Sequence, residues 1–222
     1  PKEQQTMDYI ELLRRTLGPE FYSQYMNQPV DADTQLFKKE YFRYYKRRPE
    51  DLFIITTVDP AISYAQRSDY TAIVTCGMDS KRNIYVLDTV KGHWASPSEI
   101  IHAILQSIDK WKPLQVGIES NGFQKSLKWW MEELVMKQRK IPPIVELKSP
   151  VTKTKDLRLK GLEPYYRNGM IYHHETMAGK DLENELLMMT TDGYKGRHDD
   201  FFDALAWQLE LFFAGSQKMS DN

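Results

Sequence analysis

Cysteine occurs once in the 222 residues, as Cys76 inside an apolar run. A disulfide framework and a thiolate zinc site each need several cysteines, so both are excluded, and a reducing, intracellular setting is expected. Long hydrophobic runs are missing as well. No stretch approaches the ~20 apolar residues of a membrane span, and no signal peptide precedes the first charged residues, so no membrane partner is expected. Charge of one sign is also absent. Thirty basic residues face 31 acidic ones, a balance that neither announces nor excludes a nucleic-acid partner, because a local basic face fits a neutral total. The phosphate loop G-x-x-x-x-G-K-[ST] appears nowhere in the chain, which excludes an ATPase motor of that type. Internal repeats and low-complexity segments are lacking too.

What is there suits a single sizeable core, since 41% of the residues are hydrophobic and 12% aromatic. The chain begins at Pro1 rather than Met, as an excised piece of a longer protein would. Residues 1–50 read as a lead-in. Asp8 to Leu17 has helical spacing and stops at Gly18-Pro19, and the irregular aromatic segment after it reads as packing against a domain without forming its own core. The domain is expected over residues 51–214, with a disordered polar tail at 215–222. Phe53 to Val58 is β-branched and apolar, a strand closed by Asp59-Pro60. Tyr70–Thr75 and Ile84–Val90 follow as two more strands joined by the polar turn Asp79–Asn83, which suggests an antiparallel meander. Ser96-Pro97-Ser98-Glu99 reads as a capping box opening a helix to about Lys110. Then come a strand at Gln115–Ile118 ending on Glu119, a helix from about Phe123 to Arg139, and a short strand at Ile144–Leu147. Helices at roughly Thr154–Arg167, Lys180–Thr190 and Asp200–Phe213 finish the chain. This order predicts an α/β fold, a mixed central sheet with helices on both faces.

Acidic residues stand where strands and a helix begin or end. Asp59 ends the first strand, on the face of Ile55 and Thr57. Glu119 ends the fourth, and Asp199, Asp200 and Asp203 open the apolar final helix, Asp200 and Asp203 sharing a face at a spacing of three. Taken singly, most have plain explanations. Asp59 can terminate a strand, Glu119 can open the turn at Asn121-Gly122, and Asp199 or Asp200 can cap a helix. Asp203 resists such an account. It lies a turn inside the helix among Phe201, Phe202, Ala204 and Leu205, where a carboxylate needs a cation or a hydrogen-bond partner. Carboxylates gathered from two strand ends and a helix would repel one another without divalent ions. Hard oxygen donors favour Mg²⁺ or Mn²⁺ over zinc. Two such ions can clamp both oxygens of a phosphodiester displacement.

The motifs VDPA (Val58–Ala61), SDYTAIVTCGMD (Ser68–Asp79), NIYVLD (Asn83–Asp88), VGIESNGFQ (Val116–Gln124) and HDDFFDALA (His198–Ala206) resemble the C-terminal nuclease domain of the large terminase subunit of tailed bacteriophages. GPEFYSQYMNQP (Gly18–Pro29) resembles the linker after the packaging ATPase domain of such proteins. The resemblance implies a ribonuclease H-like fold: a three-strand antiparallel meander plus parallel strands, with helices on both faces. It also implies a metal-dependent endonuclease that cuts concatemeric viral DNA during packaging with little sequence specificity. Asp59, Glu119 and Asp203 match the family's metal ligands, and Asp200 a further acid one turn earlier. Asp69 matches a recurrent Ser-Asp pair with a supporting role, and Asp199 is adjacent. Implied partners are double-stranded DNA, a covalent ATPase domain, the portal and the small terminase subunit. The implied place is the cytoplasm of the infected bacterium and not the mature virion.

Lys153, Lys155, Arg158 and Lys160 form a basic run that is either a solvated helix face or a DNA contact; a basic helix at this place in the family favours DNA. One of its lysines could steady transition-state charge near the metals. Arg67, Lys125, Lys128, Lys195 and Arg197 could extend that surface, and Gly193–Gly196 reads as a loop or hairpin. His198 either starts the helix or tunes a ligand. His173-His174 falls at a strand end with no assigned role, and Trp129, Trp130 and Trp207 read as packing residues. Two alternatives stay open: a junction resolvase or transposase-like enzyme of the same fold, and a non-catalytic DNA-docking module.

Overall fold

Six of the seven residues in Phe53–Asp59 (β2) are aromatic or β-branched, and they form the strand around which the sheet is ordered. The structure, a computed structural model, describes residues 33–60, 70–94, 96–119, 143–148 and 154–217. The helices expected at Asp8–Leu17 and 123–139 lie outside the described residues, as do Arg67, Asp69, Lys125, Lys128, Trp129, Trp130 and Lys153.

Strand β2 pairs antiparallel with Thr71–Met78 (β3), which pairs antiparallel with Ile84–Gly92 (β4). The turn between β3 and β4 is held by Asp79, whose carboxylate accepts from the Lys81 and Asn83 amides and from the Asn83 side chain. The expected meander is thus present. Helix α1 (Pro97–Trp111) opens on the expected capping box, with Ser96 accepting from the Glu99 amide. It returns the chain to Gln115–Glu119 (β5), parallel to β2, and Ile144–Leu147 (β6) lies parallel to β5. On the other edge, Ile171–His174 (β7) runs parallel to β4, and Arg43–Tyr45 (β1) parallel to β7. The seven-stranded order is β1-β7-β4-β3-β2-β5-β6.

Four expectations change. Residues 33–50 are not merely a lead-in: β1 joins the sheet, and Phe37 and Phe42 are buried in the main core. A three-residue strand is too short to show a period. The single helix expected at Thr154–Arg167 is two, Lys155–Lys160 (α2) and Glu163–Arg167 (α3). Gly161 separates them, and Pro164, which has no amide hydrogen to continue a helix, sits in the first turn of α3. Helix α4 stops at Leu187 (Asp181–Leu187), and Met189–Thr190 (β8) then pairs with Gly193–Tyr194 (β9) in a small hairpin.

The last helix, α5 (Asp200–Gln217), continues past Gly215, where a tail was expected to begin. No helix among the described residues is long and apolar enough to cross a membrane.

Two apolar layers flank the sheet. Val58, Ile73, Val116 and Ile118 pack against Ile100, Ile104 and Ile108 of α1. On the opposite face Ile55, Val74, Cys76 and Val86 pack against Phe202, Leu205 and Ala206 of α5. The alternation of β2 therefore sends Ile55, Thr57 and Asp59 toward α5. Polar contacts fix that helix as well. The Thr57 hydroxyl donates to the Ala204 carbonyl at 2.6 Å, and the Gln208 amide donates to Thr57 Oγ1 at 2.9 Å and to the Val74 carbonyl at 2.8 Å. Gly117 of β5 lets the helix approach: a Cβ there would lie 2.7 Å from Leu211 Cδ1.

Replacing the buried Thr57 by valine keeps the shape and removes the hydroxyl. Thr57→Val should lower unfolding free energy by about 1–2 kcal/mol, read from urea denaturation, with the fold retained.

Candidate metal centre

Side-chain alternation and register bring three carboxylates to one point. Val58 pairs with Ile118 across the parallel strands, so the next residues, Asp59 and Glu119, end their strands side by side. Both face α5, because Ile55 and Thr57 precede one and Gly117 the other on that face. Asp203 meets them from the first turns of α5, one residue before the Ala204 carbonyl that Thr57 holds. One oxygen from each of Asp59, Glu119 and Asp203 lies within 4.8 Å of the others.

The electrostatics of this convergence are costly. Burial raises the Asp59 pKa well above its ordinary value of 3.8, and the Glu119 and Asp203 charges and a hydrogen bond with Glu119 raise it further. Two cations answer part of the charge. Arg158 of α2, its side chain 2% exposed, meets Asp203 Oδ1 through Nη2 at 2.5 Å and Nε at 3.2 Å, and Glu119 Oε1 at 3.6 Å. Its guanidinium lies 3.9 Å from the centre of the buried Trp207 ring. Lys155, one turn earlier and about half exposed, reaches Asp203 Oδ2 at 3.0 Å and Asp199 Oδ1 at 3.1 Å. Burial works against the Lys155 charge, but Asp203 and Asp199 outweigh it and raise its pKa.

The other sequence candidates fall elsewhere. Asp200 does not join the three acids: the buried carboxylate pairs with Lys91 of β4 at 2.9 Å, and Lys91 also holds Glu185 of α4 at 3.0 Å. Residues three apart on a helix are offset by roughly 60°, and that offset is enough to turn Asp200 toward β4 while Asp203 faces β2 and β5. Glu185 in turn accepts from the Phe202 amide, so this group anchors the start of α5. Asp199 supplies the carbonyl that receives the Asp203 amide, opening the helix, and its carboxylate bonds Lys155. His198 is partly exposed, with Nδ1 4.0 Å from Asp200 and its carbonyl accepting from the Tyr194 hydroxyl. The described members of the basic run point in different directions, with Lys155 about half exposed. Arg158 points inward because α2 packs on α5, and Lys160 bonds Asp156 and the Thr191 carbonyl. Trp207 packs in the interior, and His173 is buried between Tyr166 and Glu183.

Sequence reasoning missed Arg158 as a partner of the acids and Thr57 and Gln208 as helix anchors. Spacing holds no signal for Arg158, because its partners Glu119 and Asp203 lie far from it in the chain.

Three carboxylates without sulfur or imidazole make a hard oxygen donor set, which fits Mg²⁺ or Mn²⁺. The family model of the terminase RNase H-like domain matches residues 56–212. The chain belongs to this family. Its fold is ribonuclease H-like. The nuclease domain of the bacteriophage P22 large terminase is similar at 14% identity over 79% of this chain and 89% of that one, with a TM-score of 0.56. A mutant nuclease domain of the large terminase subunit of bacterial virus Sf6, with manganese and beta-thujaplicinol, is similar at 10% identity over 78% and 97%, TM-score 0.52. A large terminase from a thermophilic bacteriophage, in complex with ATP-gamma-S, aligns over 91% of this chain and 52% of its own, at 12% identity and TM-score 0.52. No curated protein matches the sequence. Within this terminase RNase H-like domain, the match begins in β2 and ends in α5, so it encloses all three acids.

A raised carboxyl pKa means that the folded state holds its proton more tightly than the unfolded chain. The metal-free domain therefore loses stability as pH rises above the ordinary value of 3.8, where the unfolded chain ionises first. Asp59→Asn should raise the metal-free melting temperature at pH 7, and calorimetry should find that gain shrinking toward zero as pH falls below about 4.

Proposed function

We propose that this domain is a metal-dependent endonuclease that hydrolyses DNA phosphodiester bonds, with little base specificity, when concatemeric viral DNA is cut during genome packaging. The observation that supports this reading is the triad Asp59, Glu119 and Asp203, three acids converging from two strand ends and a helix. Such a site would be expensive to keep for structure alone. Asp59, Glu119 and Asp203 would hold two divalent ions, Mg²⁺ or Mn²⁺. When bound, such ions supply an activated water and stabilise charge on the leaving 3′ oxygen.

The chain's own residues do the rest. Asp59 shares a hydrogen bond with Glu119 and lies beside Asp203, ready to serve the same ions. Lys155, about half exposed at the rim, is placed to meet a phosphate oxygen that approaches the acids. Helix α5, fixed to the sheet through Thr57 and Gln208, keeps Asp203 in place while DNA binds. In this proposal the domain works on double-stranded DNA in the cytoplasm of an infected bacterium, joined to an ATPase domain and meeting portal and small terminase subunits. Residues 1–50 would carry the connection to the ATPase.

The test is Mn²⁺-dependent cleavage of supercoiled plasmid by the purified domain. Asp59→Ala and Glu119→Ala should each reduce cleavage at least ~10³-fold, with circular dichroism unchanged; cleavage persisting in either variant sinks the assignment. A strong preference for four-way junctions over plain duplex would move the reading to a resolvase. Absence of carboxylate-dependent Mn²⁺ binding would move it to a docking module.

A further inference from the structure

Both oxygens of Asp203 are occupied by cations, and the two cations differ in mobility. Arg158 is enclosed: its side chain is 2% exposed, its plane lies over Trp207, and Nη2 spans Asp203 and Glu119. A guanidinium does not give up its proton in a protein, so this charge is permanent. The stacked, forked group is held in one geometry, so it cannot swing out without leaving a buried carboxylate uncompensated. Lys155 is the opposite case. Its side chain is 47% exposed on a flexible stem, and it holds Asp203 Oδ2 and Asp199 Oδ1 from the solvent side.

We propose that Arg158 is a resident counter-charge that positions Asp203 and Glu119 in advance of any metal, and that Lys155 is the exchangeable cation that releases Asp203 Oδ2 to an incoming divalent ion. The Lys155 half rests on the metal-dependent reading above; the Arg158 half does not. Four carboxylates, Asp59, Glu119, Asp199 and Asp203, face two cations, so the metal-free cluster keeps a net negative charge. That residual charge draws a divalent ion, while Arg158 prevents the acids from splaying apart before it arrives. Arg158 touches no substrate in this scheme and acts through Asp203 and Glu119, as a positioning residue. Lys155, once displaced, is free at the rim to contact a phosphate.

The test is a thermal-melting cycle on the whole chain in chelator, then with Mn²⁺, using Arg158→Met, Asp203→Asn, their double variant and Lys155→Met. In chelator, Arg158→Met should lower the melting temperature by about 10 °C, and Lys155→Met by less than about 3 °C. Adding Asp203→Asn to Arg158→Met should recover much of the loss, because cation and anion are then removed together. If Arg158→Met alone does not fold, a folded double variant reports the same rescue. Mn²⁺ should raise the melting temperature of Arg158→Met more than that of the parent. Titration calorimetry should find Mn²⁺ bound about tenfold tighter by Lys155→Met, since a competing charge is gone. Losses from Arg158→Met and Asp203→Asn that simply add would overturn the counter-charge role and leave only packing on Trp207. Unchanged Mn²⁺ affinity in Lys155→Met would overturn the exchange. A parent chain that binds no Mn²⁺ would remove the nuclease reading and the Lys155 half, while the metal-free cycle still decides Arg158.

Discussion

Helix α5 lies on the sheet at a depth set by two small features of the strands beneath it. Thr57 holds the Ala204 carbonyl, and Gly117 leaves room for Leu211. The convergence of the three acids depends on that seating. Asp59 and Glu119 are placed by their own strands, but Asp203 reaches them only because its helix crosses β2 at this depth. The apolar cluster of Phe202, Leu205 and Ala206 against Ile55 and Val74 supplies attraction without direction. The buried hydrogen bonds of Thr57 and Gln208 supply the direction, since a slide or rotation of the helix would leave them unsatisfied.

Two ionic groups act on the first turns of the same helix, with different consequences. Lys91 lies between the carboxylates of Glu185 and Asp200 and joins β4, α4 and the start of α5. Asp59, Glu119, Asp199 and Asp203 outnumber Lys155 and Arg158. The first set anchors the start of α5 through the Phe202 amide, and burial raises its Glu185 carboxyl to about 8. The second keeps an excess of negative charge, and burial makes that excess expensive, as the raised pKa of Asp59 reflects. A buried imbalance of this kind is a store of affinity for a cation.

The edge formed by β1 and β7 extends the sheet away from this centre. Phe42 stacks on His173, and His173 bridges the Tyr166 hydroxyl and the Glu183 carboxylate beneath it. Phe37 and Phe42, both before residue 51, are therefore part of the fold's main core. Membership of the terminase RNase H-like family rests on residues 56–212, and β1 lies outside that match.

The three-strand meander, the capped helix after it and the acid-tipped strands were legible in the chain because each is a local pattern. β-branched runs alternate with period two, a capping box spans four residues, and an acid after an apolar run marks a strand end. The motif order also pointed to the family, and Asp59, Glu119 and Asp203, three of the acids at element ends, do converge. Short elements were not legible. β1, β8 and the break at Gly161 are each shorter than the period that would reveal them, although Gly193–Gly196 did read as a loop or hairpin. Nor could spacing sort Asp200 from Asp203, because both choices satisfy the same helix periodicity. Only the tertiary structure decided that, by placing Lys91 beside one and Arg158 beside the other. The sequence determined which residues carry charge and where strands and helices end. The partner of each charge was decided by elements distant in the chain, because electrostatic pairing depends on distance in space and on burial, and neither exists until the sheet and α5 have packed.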